Sequence, residues 1–482
     1  MTEVIPNFID GTWLSATATD TLPVDNPATA DVIARVPMST PDDVDQAVQA
    51  ARKAFPAWRA TPPVERARVL FRLKTLLEEH LDELAVSLTI EHGKIVSESK
   101  GEIRRGIENV EHACGIPTLM LGDTLEDVAS GIDCETIRQP LGVFAVITPY
   151  NFPVMIPLWF WPYAVATGNT VVLKPSEQDP LTHQRIVDLA KQAGLPPGVL
   201  NVVHGDRRVS EALIEHPDVV GISFVGSSDI GRSIYSRAAA AGKRVQALGG
   251  AKNHLIVFPD ADFDETTSAV MSSVFASAGQ RCLAGSIVVG IKNAFSPMRE
   301  RILDRASSLR LGDGQATNTD IGPVVSARHA DRVRNYIRKG TEEGAALALD
   351  GSRPAVAERP NGYFVGPTVF DNVTPDMVIG REEIFGPVAG LARADNLEDA
   401  LEMVHRTRYG NAISVFTRSG RTAREFRYHA GISMIGINIG VVAPMAFFPF
   451  GGSRGSFFGD LKAQGKDAIS FFTDSRVVVS RW

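Results

Sequence analysis

From Gly142 onward the chain alternates short, mainly apolar runs with helix-length amphipathic ones, and no other feature limits its fold as strongly. The apolar runs are Gly142–Ile147, Thr170–Lys174, Val199–Val203, Val219–Val225 and Arg244–Ala247. Strands without polar alternation are buried on both faces, and helices between them supply the cover, so this pattern predicts a doubly wound parallel α/β sheet. A second alternating series starts near His254–Phe258, continues through Ser286–Ile291, Phe364–Phe370 and Ala412–Phe416, and ends near Phe450. With no low-complexity linker and no short internal repeat, two closely apposed α/β domains are expected. The charge-free stretch from Leu141 to Leu173 is too broken by Pro149, Pro153, Pro157 and Pro162 to read as a membrane span.

Upstream, Thr40-Pro41-Asp42-Asp43 predicts a helix start with Thr40 as N-cap and Asp43 as the capping carboxylate. Helical periodicity continues through Val64–Leu88 and Ser97–Ala113, whereas Leu119–Arg138 is short, polar and turn-rich, a β-excursion from the main body. The C-terminal Phe471–Val479 stretch also has strand character. A net charge of -7 argues against nucleic acid or an anionic membrane as the main partner. Three cysteines, Cys114, Cys134 and Cys282, make no disulfide framework and fit a reducing compartment. Met1–Pro6 lacks the features of a secretory signal, so a cytoplasmic protein is expected.

Cys282 sits between a helical run, Thr266–Ala278, and a β-rich one, with Gly279 and Gly285 on either side. A lone cysteine is more often a small buried hydrophobe than a nucleophile, so its meaning depends on what surrounds it. Ligands of open parallel sheets bind beyond the carboxyl ends of the strands, where three loops meet. They are Thr148-Pro149-Tyr150-Asn151-Phe152-Pro153, Lys174-Pro175-Ser176-Glu177, and the glycine- and serine-containing turn Phe224–Gly231. That last turn offers backbone N–H groups and a helix N-terminus to a phosphate. Lys174 with Glu177 can grip the hydroxyls of a ribose.

In their order along the chain, these loops, Gly279-Gln280-Arg281-Cys282, Glu382–Pro387 and Phe450-Gly451-Gly452-Ser453 resemble the motifs of aldehyde dehydrogenases over nearly the whole length. The resemblance implies that family's fold: a Rossmann-like NAD-binding domain over residues 1–118 and 139–248, a catalytic domain over 249–450, and oligomerisation strands in 119–138 and 461–482. It implies Cys282 as nucleophile, with the Asn151 amide and the Cys282 N–H as oxyanion hole. It also implies an NAD site built from Thr148, Tyr150, Lys174, Glu177, Gln178, Gly226, Ser227, Gly249, Glu383 and Phe385. Glu177 would repel a 2′-phosphate and so favours NAD over NADP. No metal is called for, and a homodimer or homotetramer is expected.

The chain departs from the common family pattern at Gln246-Ala247-Leu248-Gly249-Gly250, where Ala247 is expected in place of the glutamate that activates water. Alanine accepts no proton, so hydrolysis of an acyl-enzyme should be slow and a thiol acceptor such as coenzyme A is indicated. Gly250–His254, Gly452–Asp460 and the ending Ser480-Arg481-Trp482 resemble the methylmalonate-semialdehyde dehydrogenase subgroup. That resemblance implies oxidation of malonate or methylmalonate semialdehyde to acetyl- or propionyl-CoA with loss of carbon dioxide. Arg281 and Arg105 are then the cations for a substrate carboxylate, with Arg104 the competing neighbour. Two alternatives stay open: a hydrolytic dehydrogenase of another small anionic aldehyde, with another carboxylate as base, and a non-catalytic dinucleotide-binding relative.

Overall fold

A computed structural model describes residues 2–482. Five parallel strands lie side by side in the order Leu200–Val202, Thr170–Lys174, Val143–Ile147, Val219–Val225, Arg244–Leu248. The chain runs outward from the central strand to Leu200–Val202, then returns to the other side of that strand. This reversal opens a crevice between the ends of Val143–Ile147 and Val219–Val225. Antiparallel additions extend the edges, Asn7–Ile9 with Thr12–Leu14 outside it at one side and Phe457–Phe458 at the other. The second sheet has six parallel strands in the order Thr368–Asp371, Val388–Ala394, Gly285–Ile291, Asn253–Val257, Ala412–Phe416, Met434–Ile437, with Ala346–Leu349 antiparallel at one edge. Both sheets are thus doubly wound, as the unalternating apolar runs require.

The capping box at Thr40 forms: the Thr40 hydroxyl accepts from the Asp43 N–H, and the Asp43 carboxylate accepts from the Thr40 N–H at 2.8 Å. Elsewhere the helices are shorter than periodicity suggests. Val64–Leu88 divides at His80 into Pro63–Glu79 and Leu81–His92. The expected helix from Met155 to Ala166 is two pieces, Met155–Leu158 and Trp161–Ala166, because Pro157 and Pro162 each withhold an N–H.

Thr124–Ala129, Ile132–Pro140 and Thr473–Arg481 form a separate three-stranded antiparallel sheet, paired from Thr473 opposite Pro140 to Arg481 opposite Ile132. Within 461–482 only this last segment is a long strand. Gly465–Phe472 is a helix, and Phe471 and Phe472 pack their rings against Phe144 in the first core, with centroids 5.7 and 4.8 Å away. Strand propensity at Phe471 and Phe472 yields to aromatic burial, such pairs contributing about 0.5–1.5 kcal/mol beyond their area. Among the described residues, no helix is long and apolar enough to cross a membrane.

Candidate active site

Cys282 follows an unusual piece of backbone. The helix Phe263–Phe275 ends three residues before the expected Ala278, and Ser277, Ala278 and Gly279 are all left-handed, with φ of 52°, 51° and 71°. For the two non-glycine residues this costs about 1–2 kcal/mol each. At Gly279 a Cβ would lie 2.1 Å from the Gly386 carbonyl oxygen, so only glycine fits. The turn is held from outside. Ser277 N–H donates to Glu98 Oε1 at 2.8 Å, Gln280 N–H to the Ser277 carbonyl at 3.0 Å, and Val325 N–H to Gln280 Oε1 at 3.1 Å. The Cys282 carbonyl accepts from Asn253 Nδ2 at 2.9 Å and Asn411 Nδ2 at 2.8 Å. The N–H groups of Cys282 and Leu283 face the sulfur.

Asn151 is buried on the loop after Val143–Ile147, and its Nδ2 donates to the Gln280 carbonyl at 3.2 Å. The expected oxyanion donor therefore lies beside the nucleophile's loop, with Asn151 Nδ2 and the Cys282 N–H on hand. Burial pushes the Cys282 thiol up to about 12, the Glu383 carboxylate adds to this, and Arg281 opposes it. At neutral pH the group is a thiol and not the thiolate that attack requires. Alkylation by iodoacetamide should therefore rise about tenfold per pH unit from pH 6 to 9, following the thiolate fraction. A plateau below pH 8 would contradict this placement of the sulfur.

A cleft of about 480 Å³ opens onto Cys282. One face of the helix Val96–Cys114 lines it through Glu98, Glu102 and Arg105, spaced to fall on a single stripe. Arg281, Phe152, Trp159 and Phe450 line the rest. Arg105 is half-buried at the cleft, donating to Glu108 at 2.5 Å and to the Pro444 carbonyl. Arg104 is exposed at the same cleft. Arg281 donates to the Ser272 carbonyl at 3.3 Å and feels the charge of Glu98, whose own carboxyl burial raises above the usual range. Both expected carboxylate-binding arginines thus share a cavity with the thiol.

The other expected residues gather around the crevice of the first sheet. Lys174 ends its strand, and its Nζ donates to Glu177 Oε2 at 3.1 Å and to the Pro175 carbonyl at 2.8 Å. Thr148 N–H bonds to the Lys174 carbonyl at 3.1 Å, and Gln178 N–H to Ser176 Oγ at 3.0 Å. Ser227 is the N-cap of Ser228–Ala240 but makes no side-chain cap bond. Gly226 N–H bonds to the Leu248 carbonyl, and at Gly249 a Cβ would meet Ser228 Oγ at 2.7 Å. On the far side, Glu383 Oε1 accepts from Ala251 N–H at 2.9 Å. Burial raises the Glu383 carboxyl to about 7. Phe385 has a φ of 62°, its carbonyl accepts from His329 Nε2, and its ring meets that of Tyr150 edge-on. Thr148 Oγ1 and Lys252 Nζ are buried without a hydrogen-bond partner. Unmet polar atoms, an uncapped helix N-terminus and a lysine–glutamate pair fit a dinucleotide.

Ala247 is buried at the end of its strand and packs with Val143, Ala145 and Ile147, while its neighbour Leu248 packs in the layer that Cys282 and Leu283 also touch. Neither side chain can accept a proton. Sequence reasoning missed Lys94, Glu98, Glu102, Asn253 and Asn411. Of these, only Asn253 lay in a quoted motif, Gly250–His254.

Fold and site together define an aldehyde dehydrogenase. The model of the aldehyde dehydrogenase family matches residues 13–478, and the chain belongs to that family. It is 50% identical over 481 residues to malonate-semialdehyde dehydrogenase 1 of Geobacillus kaustophilus (strain HTA426), covering 100% of this chain and 98% of that protein. Malonate-semialdehyde dehydrogenase of Halalkalibacterium halodurans is 45% identical, with coverage of 100% and 99%. Among solved structures, methylmalonate-semialdehyde dehydrogenase from Oceanimonas doudoroffii superposes with a TM-score of 0.98 at 44% identity, covering 100% of this chain and 99% of that one. A putative methylmalonate-semialdehyde dehydrogenase from Sinorhizobium meliloti 1021, complexed with NAD, gives 0.98 at 42%, with coverage of 100% and 98%.

Proposed function

We propose that this chain catalyses NAD-dependent, CoA-acylating oxidation of malonate or methylmalonate semialdehyde, with loss of carbon dioxide. The observation that carries the reading is the cleft shared by Cys282, Arg281 and Arg105, together with alanine and not a carboxylate at position 247. The relatives named for these substrates agree with it.

Cys282 releases its proton to solvent and the thiolate sulfur adds to the aldehyde carbon, giving a thiohemiacetal oxyanion that is met by Asn151 Nδ2 and the Cys282 N–H. The chemistry a bound NAD supplies is acceptance of one hydride, which leaves a thioester on Cys282. Lys174 and Glu177 would hold the adenosine ribose, with Thr148, Tyr150 and Gln178 lining that groove. Gly226, Ser227 and Gly249 would approach the pyrophosphate, and Glu383 and Phe385 the nicotinamide end. Arg281 and Arg105 grip the substrate carboxylate, which lies β to the thioester carbonyl. Cleavage of that carbon–carbon bond releases carbon dioxide and leaves an enolate facing the same oxyanion donors, which takes a proton from solvent at carbon to become the acyl thioester. The sulfur of coenzyme A then adds to the thioester carbonyl and displaces the Cys282 sulfur, and the proton of the coenzyme A thiol ends on Cys282. Water is a poor rival because neither Ala247 nor Leu248 can take its proton.

A substrate panel tests the reading. Arg281→Met and Arg105→Met should each lower kcat/KM for the semialdehydes by about 10–100-fold, the scale of a lost charge-assisted hydrogen bond, and leave propanal within threefold. Equal losses on propanal would remove the arginines from carboxylate recognition. We also propose that the three-stranded sheet joins subunits into a dimer or tetramer, because Val477 and Val479 on its edge strand are 65% and 64% exposed.

A further inference from the structure

The Lys94–Glu102 pair is wholly buried, both side chains being 0% exposed, and nearly all of its bonding goes to the loop that carries Asn151. Lys94 follows the left-handed Gly93 at the end of the helix Leu81–His92, and Glu102 lies two turns into the next helix, Val96–Cys114. Lys94 Nζ donates to Glu102 Oε2 at 2.5 Å and to the Asn151 carbonyl at 2.8 Å. Its ammonium also sits 4.6 Å from the centre of the Phe152 ring. Glu102 Oε1 accepts from the N–H groups of Val154 at 2.9 Å and Met155 at 3.1 Å. Four of the five residues from Asn151 to Met155 are therefore contacted by one ion pair, a carbonyl and a ring on the lysine side and two N–H groups on the glutamate side.

A buried ion pair adds little to stability compared with apolar residues of the same volume, so its presence calls for another explanation. Its geometry supplies one. The loop from Thr148 to Val154 has no regular structure, yet its Asn151 amide must stop within hydrogen-bond reach of the oxygen that develops on the aldehyde. A carbonyl can be fixed only by a donor and an N–H only by an acceptor. One lysine and one glutamate, tied to each other, set both ends of the segment at once.

We propose that Lys94 and Glu102 are positioning residues for acylation, acting through Asn151. This rests on the reading of Asn151 as oxyanion donor. The test is a double-mutant cycle on the rate of the first-turnover NADH burst, at saturating NAD and semialdehyde, in the full-length protein. Asn151→Ala should slow the burst on the order of 10²–10³-fold. Lys94→Met should slow it about 10–100-fold, the scale of a misplaced catalytic group, with iodoacetamide alkylation of Cys282 unchanged within twofold. In the Asn151→Ala background, Lys94→Met should add less than a threefold loss. If Lys94→Met does not give folded protein, Glu102→Gln, which keeps the shape and an acceptor but removes the charge, is measured in the same cycle.

Losses that multiply in the double variant would overturn the proposal, as would a burst at the wild-type rate in either single variant of the pair. A parallel fall in alkylation would also overturn it, by placing the pair's effect on the thiol. An Asn151→Ala variant with a normal burst would instead refute the oxyanion reading itself.

Discussion

Cys282→Ala is expected to abolish semialdehyde oxidation, with a fall on the order of 10⁴-fold or more, the scale on which loss of a covalent nucleophile is felt. No other thiol can substitute. Cys114 is buried in the first core and does not line the cleft, and Cys134 lies in the three-stranded sheet. The variant should fold, because Cys282 is held through its carbonyl by Asn253 and Asn411, and those bonds survive truncation of the side chain. NAD binding, followed by titration calorimetry, should stay within a fewfold of wild type. The first-turnover burst of NADH should vanish. Residual oxidation above about 1% of wild type would remove Cys282 from the role of nucleophile, since a loss so small is far below that scale.

Asn151→Ala carries the next largest effect, a fall in kcat on the order of 10²–10³-fold with little change in KM. Its amide meets charge that exists only after the sulfur has added, so the ground state loses little. The structural cost is small by comparison. The side chain makes one hydrogen bond, to the Gln280 carbonyl at 3.2 Å, and leaving that oxygen unpaired costs about 1–3 kcal/mol. Thermal melts and burst kinetics separate the two effects. A variant that melts several degrees lower but turns over normally would make Asn151 a structural residue of the loop.

The two doubly wound sheets were legible because fully buried strands leave an unmistakable run of apolar residues. The nucleophile and cofactor loops were legible because their motifs are contiguous. What escaped is spatial. Lys94 and Glu102 are eight positions apart, one between two helices and one within the second, and read as ordinary surface charges; only the fold turns both inward onto the loop that carries Asn151. Asn411 stands next to Ala412–Phe416, far along the chain from the cysteine whose carbonyl it holds. Nothing in Ser277-Ala278 signals a left-handed turn, because neither residue type prefers one. The missing base was legible for the same reason as the loops: Gln246-Ala247-Leu248-Gly249-Gly250 is contiguous, and both Ala247 and Leu248 lack a proton acceptor.

The central claim is that the acyl group leaves to a thiol and not to water. It is tested most directly by mixing purified protein with NAD and malonate semialdehyde, with and without coenzyme A, and following NADH together with the acyl product. Without coenzyme A, one equivalent of NADH per active site should appear and turnover should then nearly stop. With it, turnover should continue and acetyl-CoA should match NADH mole for mole. Sustained turnover to free acid without coenzyme A would contradict the account and point to Glu98, the cleft carboxyl that burial already raises, as a base for water.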